Sequence, residues 1–258
     1  MIDTGHLYGN LSSYYDLFCA GVDYTAQCEF AHRAFQCFAL TSGQRYLDLA
    51  CGTGPHIESM QGYGYACTGL DNSQNMLQMA QLRCPEADFV LANMVDLDLE
   101  NCVDLASCFL YSIHYNHPLT SLRQTLAQVY RALVPGGIFI FDTVDIRGIT
   151  SRHFVSSEAE HQGHQLRFRS GWTYAGEGDV MSLHLTVADE YQGQVSQWQD
   201  VHTMAAITIA DLQQWLQDCG FEVTLLEHDF SCMQQWQGKS YNVLVVAQKP
   251  ALQTGIEQ

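Results

Sequence analysis

Apolar residues recur along this chain with two different periods, and the change from one to the other divides it. Over residues 24–38 they fall at Phe30, Ala31, Ala34, Phe35 and Phe38, on one face of a helix. Arg45-Tyr-Leu-Asp-Leu-Ala50 is a short apolar strand stopped by Cys51-Gly-Thr-Gly54. Pro55 suits the first position of the next helix, where its missing N–H costs nothing. A second strand over 65–70 ends on Asp71. Ser73 predicts the cap of a helix running to about residue 83, with Met76, Leu77 and Ala80 inward. Residues 89–91 form a third strand and 105–110 a fourth, nearly uncharged, as a strand buried on both faces should be. A helix over about 119–133 is closed by Val134-Pro-Gly-Gly137, a run that stops a helix and turns the chain. Ile138-Phe-Ile-Phe141 is a fifth buried strand, ending at Asp142.

After residue 145 the period changes to two. Leu166, Phe168, Trp172 and Tyr174 alternate with polar residues, then Met181, Leu183, Leu185 and Val187 do the same, and a third candidate strand spans about 194–204. A helix over 208–219 and strands near 221–227 and 241–248 complete the chain. The fold class expected is α/β: a doubly wound, mostly parallel, Rossmann-like seven-stranded sheet with an antiparallel insertion of two or three strands after strand five. The expected domains are a core of 1–144 and 207–250, an inserted lid of 145–206, and a flexible tail over 251–258. The insertion leaves the carboxyl end of strand five, the side on which such sheets bind ligands, so it is placed to wall an acceptor site.

Composition narrows the partners. The chain has 258 residues, 47% of them hydrophobic, enough for a core and against intrinsic disorder. Eleven Lys and Arg face 28 Asp and Glu, for a formal net charge of -17, so nucleic acid and anionic membrane surfaces are poor partners. No apolar run reaches the length of about 18 residues that a membrane span needs, and Met1 to Asn10 has neither the basic start nor the apolar stretch of a signal peptide. Ten scattered cysteines without a C-x-x-C pair read as reduced thiols of a cytoplasmic protein, with no metal site.

The strongest chemical signal is Asp48-Leu-Ala-Cys-Gly52-Thr-Gly54, with Asp71 closing the next strand. A strand turning tightly into a helix brings backbone N–H groups against a ligand, and glycine lets that ligand approach. An acid at the end of the neighbouring strand can accept both hydroxyls of a ribose. The turn therefore points to a nucleoside-like ligand. Ile57 stands at the third glycine position of a dinucleotide fingerprint, and Pro55-His56 replaces the Lys-Ser/Thr of a P-loop, so neither of those ligands fits.

These residues resemble the class I S-adenosylmethionine (SAM)-dependent methyltransferases over about residues 11–246. The likeness rests on Leu47-Asp-Leu-Ala-Cys-Gly-Thr-Gly54, Gly69-Leu-Asp-Asn-Ser73 with Met76-Leu77, Ala92-Asn-Met94, and Leu133-Val-Pro-Gly-Gly137. Within that superfamily the chain looks most like small-molecule N-methyltransferases, notably those of amino sugars, through Tyr15-Asp16, Tyr111-Ser-Ile-His-Tyr115 and Asp200-Val-His202. The resemblance implies a set of roles. Gly52 and Gly54 would pass under the methionine part of SAM, with Asp48 and the Ala50 carbonyl near its amino group. Asp71 would hold the ribose and Asn93 and Met94 would flank the adenine, with Asn72 and Cys108 counted among the cofactor-binding residues, although Cys108 also reads as a small apolar filler. Tyr15 would sit beside the sulfonium. Ala50 replaces a glycine common in the wider superfamily, and Asn93 replaces an aspartate that accepts from the adenine amine. Asn accepts without the charge, so weaker binding is expected there.

Methyl transfer to an amine needs the nitrogen unprotonated, hence a base or a solvent path. Of eleven histidines, His114, just past strand four, is the first candidate, then His202 and His153; Tyr15 is the third catalytic candidate beside His114 and His202. Arg147, Arg152, Arg167 and Arg169 gather in the insertion. They either grip an acidic or phosphorylated acceptor or pair at the surface with Glu158 and Glu160, and surface pairing is favoured. Trp172, Tyr174 and Trp198 either stack on an acceptor ring or form the inner face of a small sheet. The expected activity is methylation of a small-molecule acceptor at an amine nitrogen. Small-molecule O-methylation and a SAM-binding partner without catalysis stay open, as does a homodimer.

Overall fold

The computed structural model describes residues 14–149 and 154–251. The expected tail from residue 252, together with Arg152, His153 and the first thirteen residues, lies outside them. The chain order is α1 (Tyr15–Phe18), α2 (Tyr24–Phe38), β1 (Arg45–Leu49), α3 (Pro55–Gly62), β2 (Ala66–Asp71), α4 (Gln74–Arg83), β3 (Asp88–Leu91), β4 (Val103–Cys108), α5 (Leu119–Ala132) and β5 (Leu133–Val144). Then come β6 (Phe154–His161), β7 (His164–Tyr174), β8 (Val180–Tyr191), β9 (Gln194–Ala205), α6 (Ile209–Asp218), β10 (Glu222–Glu227) and β11 (Asn242–Gln248).

Seven strands form one sheet in the order β10-β11-β5-β4-β1-β2-β3, with β11 antiparallel to both neighbours and the remaining pairs parallel. Period-two alternation splits each central strand between two cores. Leu47, Leu49, Phe139, Phe141, Val243 and Val245 face α5 and α6, which contribute Leu122, Leu126, Val129, Leu212 and Leu216. Tyr46, Ile138, Ile140, Leu244 and Val246 face α2 and α3, which contribute Phe30, Ala34, Phe35, Ile57 and Met60. Burying one such Leu, Ile or Phe side chain contributes about 1.5–3 kcal/mol, so this three-layer sandwich fixes the strand ends firmly. The chain proceeds outward from β1 through β2 to β3, then returns to the other side of β1 with β4 and β5. That reversal opens a crevice beyond the carboxyl ends of β1 and β4, where such sheets take ligands.

Two local predictions needed correction. Val134-Pro-Gly-Gly137 does not end in a turn outside the sheet: it is a bulge inside β5. Val103 pairs with Leu133 and Leu105 with Ile138, so the run loops out of register between them. Gly136 adopts φ +84°, and a Cβ there would meet the Leu40 backbone at 2.9 Å. The insertion holds four strands, in the order β6-β7-β8-β9, rather than two or three. The extra one, β6, is a mostly exposed edge, Phe-Val-Ser-Ser-Glu-Ala-Glu-His, that carries no alternating apolar signal. Its neighbours carry one: Leu166 and Phe168 are buried while Arg167 and Arg169 point outward.

The two ends of the insertion are tied together. Asp145, fully buried, accepts from the backbone N–H of Ile209 at 3.0 Å and from the Arg147 side chain, and Ile146 N–H donates to Ile207. The small sheet packs on α1: Leu166, Phe168, Leu185 and Val187 contact Tyr14, Tyr15, Leu17 and Phe18. No helix among the described residues is long and apolar enough to cross a membrane.

Candidate active site

A cleft of about 510 Å³ opens at the sheet's point of reversal, within the range of small-molecule sites. Its first wall is built by β1, β2 and β3. Ala50 and Gly52 follow β1 with φ +60° and +54°, a left-handed turn that exposes their backbone to the cleft. Asp71, at the end of β2, grips that turn: its Oδ2 accepts from Gly52 N–H at 2.9 Å and its Oδ1 from Ser73 N–H at 2.8 Å. Burial raises the Asp71 pKa above the ordinary carboxylate range, partly offset by those backbone donors. Asn72 donates to Asn93, which donates to Asp96, and with Met94 these line the far end.

Beneath the turn, Tyr46, Ser107 and Asp48 form a buried chain, with Ser107 donating to Asp48 Oδ1 at 3.1 Å. Asp48 Oδ2 has no hydrogen-bond partner among the described residues; the nearest ring nitrogen, His56 Nδ1, is 3.6 Å away. His56 lines a smaller cavity shared with Tyr15, Ala50, Gly52 and Phe109. A buried carboxylate oxygen left open beside a ligand cavity suits a cationic amino group.

The opposite wall comes from Tyr15 of α1, the 3-10 turn Ser112–Tyr115 after β4, and His202 and Thr203 of β9. A Cβ on Gly52 would stand 3.7 Å from the Tyr15 ring, so Tyr15 roofs the glycine turn. Its neighbours in sequence clamp it. The Tyr14 hydroxyl donates to Asp189 of β8 at 3.2 Å. Asp16 accepts from the Thr53 hydroxyl at 2.7 Å and from Arg83 at 2.6 Å. His202 is held between Asp200, 2.9 Å from its Nε2, and the Tyr115 hydroxyl, 2.7 Å from its Nδ1. No Lys or Arg is among the described residues lining the cleft.

Residues 47–141, from β1 through most of β5, match the family model described as a methyltransferase domain. The chain carries a methyltransferase domain. It is 28% identical over 182 residues to the dTDP-3-amino-3,4,6-trideoxy-alpha-D-glucopyranose N,N-dimethyltransferase of Streptomyces venezuelae, covering 70% of this chain and 76% of that protein. Its fold is that of Streptomyces venezuelae DesVI, with a TM-score of 0.79, 23% identity, and 94% and 99% of the two chains covered. It is likewise that of CalS10, an amino pentose methyltransferase from Micromonospora echinaspora solved with SAM bound, with a TM-score of 0.77, 18% identity, and 96% and 100% covered.

The fold brings Tyr15, Ala50, Gly52, Asp71, Asn72, Asn93, Met94 and His202 together on the cleft. Four expected residues stand elsewhere. Gly54 does not line the cleft: it caps α3 at φ +83°, and a Cβ there would press on Ala80 of α4 at 3.2 Å. Cys108 is fully buried under Met94, their sulfurs 3.8 Å apart. Asp48 lies beneath the turn, not on the cleft wall.

His114 is the main correction, because it is fully buried and both ring nitrogens are engaged. Its Nδ1–H donates to the Ala205 carbonyl at 2.8 Å, while Nε2 accepts from the Thr143 hydroxyl and Val144 N–H. Burial pushes its pKa down, so it is a neutral bolt between β5 and β9. The insertion's arginines pair at the surface, though with other partners than expected: Arg167 with Glu190 and Arg147 with Asp145, while Arg169 lies over the Phe154 ring. Trp172 meets Tyr111 edge-on at 4.8 Å rather than lining the cleft.

Asn116, His117, Ser121 and Thr203 line the cleft and carry no motif in the sequence. Only the approach of the α5 entry and β9 to the glycine turn reveals them.

Proposed function

We propose that the protein transfers a methyl group from SAM to the amine nitrogen of a free small molecule, an amino sugar being the nearest class. Bound SAM supplies an electrophilic methyl on a sulfonium, displaced in line. The chain's own part is to hold both reactants, align them and exclude water, and orientation alone contributes up to about 7–11 kcal/mol. In this reading Asp71 holds the ribose hydroxyls, and Asn72, Asn93 and Met94 the adenine end. Ala50 and Gly52, with Asp48 beneath, take the methionine end, and Tyr15 flanks the sulfonium. Tyr115 and His202 stand on the acceptor side. Residues 145–206 act as the acceptor lid on a core of 1–144 and 207–250. The ten free cysteines suit a reducing compartment, and we take the protein to be cytoplasmic.

One observation carries the amine reading: the described cleft wall has no Lys or Arg, and it faces the acceptor side with a histidine backed by a carboxylate. In a chain of net charge -17, such a cleft attracts cations, and both a sulfonium and a protonated amine are cations. The Streptomyces venezuelae relative, by its name, acts on a sugar amine.

The test incubates the full chain with methyl-labelled SAM and matched acceptor pairs: amino sugars, free and dTDP-linked, and their hydroxyl analogues. Label is expected on the amine. Equal transfer to the hydroxyl analogue, or SAM binding with no transfer to any amine, would refute the assignment.

A further inference from the structure

The cleft wall holds a three-membered relay that begins at a tyrosine. Asp200 and His202 are two apart on β9 and therefore share one face of the strand. The His202 Nε2 lies 2.9 Å from Asp200 Oδ2, and Asp200 Oδ1 accepts from Val201 N–H at 3.0 Å, which fixes the carboxylate. A carboxylate can only accept, so Nε2 carries the hydrogen, and in the neutral ring Nδ1 presents its lone pair. The Tyr115 hydroxyl, 2.7 Å from Nδ1, therefore donates to it. Tyr115 ends the 3-10 turn after β4, and the two rings are tilted 56° with centroids 5.5 Å apart. Tyr115 and His202 both line the cleft with Tyr15 and the glycine turn, whereas Asp200 does not. Direction is thus built in: Asp200 orients His202, His202 polarises the Tyr115 hydroxyl, and Tyr115 stands on the cleft wall.

We propose that Tyr115 is the catalytic proton acceptor for the substrate ammonium, with His202 receiving the proton through it and Asp200 as the positioning residue. The proposal rests on the amine reading above and deepens it. The ammonium nitrogen passes a proton to the Tyr115 oxygen as the phenol proton moves to His202 Nδ1, giving an imidazolium held by the Asp200 carboxylate. The nitrogen pair so released forms the N–C bond to the methyl, and the C–S pair returns to sulfur, leaving a neutral thioether. The imidazolium then returns its proton to solvent, and no redox partner is required. A positioned base of this kind accelerates such steps by about 10²–10⁴-fold.

Three measurements on the full chain test it. First, in histidine-labelled protein, nitrogen NMR is expected to find the neutral ring of His202 with its hydrogen on Nε2, and Asp200→Asn to shift that tautomer. Hydrogen on Nδ1 in the wild type would overturn the relay whatever the acceptor proves to be. Second, Tyr115→Phe and His202→Ala are expected to lower kcat at least about 10²-fold with dTDP-3-amino-3,4,6-trideoxyglucose, with the Kd for S-adenosylhomocysteine within about threefold of wild type. Added imidazole is expected to restore part of the His202→Ala rate. Third, both deficits are expected to shrink several-fold with a sugar O-alkylhydroxylamine, which arrives unprotonated. Wild-type kcat in Tyr115→Phe, or equal deficits for both acceptors, would overturn the relay while leaving the amine reading intact. Failure of the wild type with every amine would instead remove the amine reading, and the relay with it.

Discussion

Replacing Asp71 with alanine separates two jobs that this one carboxylate does. It faces the cleft, where it is assigned to the ribose, and it holds the backbone N–H groups of Gly52 and Ser73 at 2.9 and 2.8 Å. A hydrogen bond to a charged group is worth about 1.5–3 kcal/mol, so losing two ribose hydroxyls costs about 3–6 kcal/mol, or roughly 10²–10⁴-fold in Kd. Leaving the two N–H groups to water costs about 2–4 kcal/mol of stability. At about 2–4 °C per kcal/mol for a chain of this size, Tm should fall by about 4–16 °C. Calorimetric titration with S-adenosylhomocysteine, well below the variant's melting temperature, reads the first effect; a circular dichroism melt reads the second. Ser73→Ala is the control, since it removes the hydroxyl that accepts from Met76 N–H, a cap worth about 1 kcal/mol, while keeping the backbone N–H that Asp71 holds, so Kd should stay near wild type. A folded Asp71→Ala protein with Kd within about threefold of wild type would refute the ribose role. An unchanged Tm would refute the loop-holding role. Because burial raises the Asp71 pKa, ligand affinity in the wild type should fall on acidification before ordinary carboxylates titrate.

Two further outcomes follow from other parts of the molecule. Asp16→Ala releases Thr53 and Arg83 from α1. The Arg83 pair is partly exposed and contributes little to stability, so Tm should barely move while the Kd for SAM rises about 3–10-fold as Tyr15 loosens; equal affinity would exclude the clamp. Asp104 and Asp145 supply stability that acid removes. Burial would raise both, but the Arg45 and Thr41 side chains with Arg45 N–H, and the Arg147 side chain with the N–H groups of Arg147 and Ile209, outweigh it and hold both pKa values below the carboxylate norm. Their contribution is therefore full above the unfolded value of about 3.9 and lost as pH falls through the depressed folded values. Urea titrations at pH 6 and pH 3 should show a smaller drop in stability for Asp145→Asn than for the wild type; an identical drop would contradict the assignment.

Much of the fold was legible because its signals are local. A cap such as Ser73, whose hydroxyl accepts from Met76 N–H, and the helical face of Phe30, Ala34 and Phe35 depend on residues within a few positions of each other. The same holds for the alternation in β7 and β8, where Leu166, Phe168, Met181, Leu185 and Val187 are buried, while Trp172, Tyr174 and Leu183 are half-buried like their polar neighbours. What escaped was carried by distant partners. The edge strand β6 has a weak pattern because solvent covers most of it and, among the described residues, β7 alone pairs with it. The Val134–Gly137 run looked like a turn because proline and glycine break local structure; whether the chain leaves the sheet or bulges within it was decided by its fit against Leu40 and β4.

The sequence by itself located the glycine turn and the acid beside it. A tight strand-to-helix turn and the acid on the next strand are neighbours in sequence and in space, so their residue types already encode the ligand they can bear. It could not determine which histidine faces the acceptor. His114 and His202 lie similarly close to motif residues, yet one is sealed between β5 and β9 with both nitrogens engaged, and the other opens on the cleft between a tyrosine 87 positions away and an aspartate on its own strand. That difference comes from the packing of the inserted sheet against the turn after β4, a contact between segments far apart in the chain, and it is the tertiary structure alone that made it.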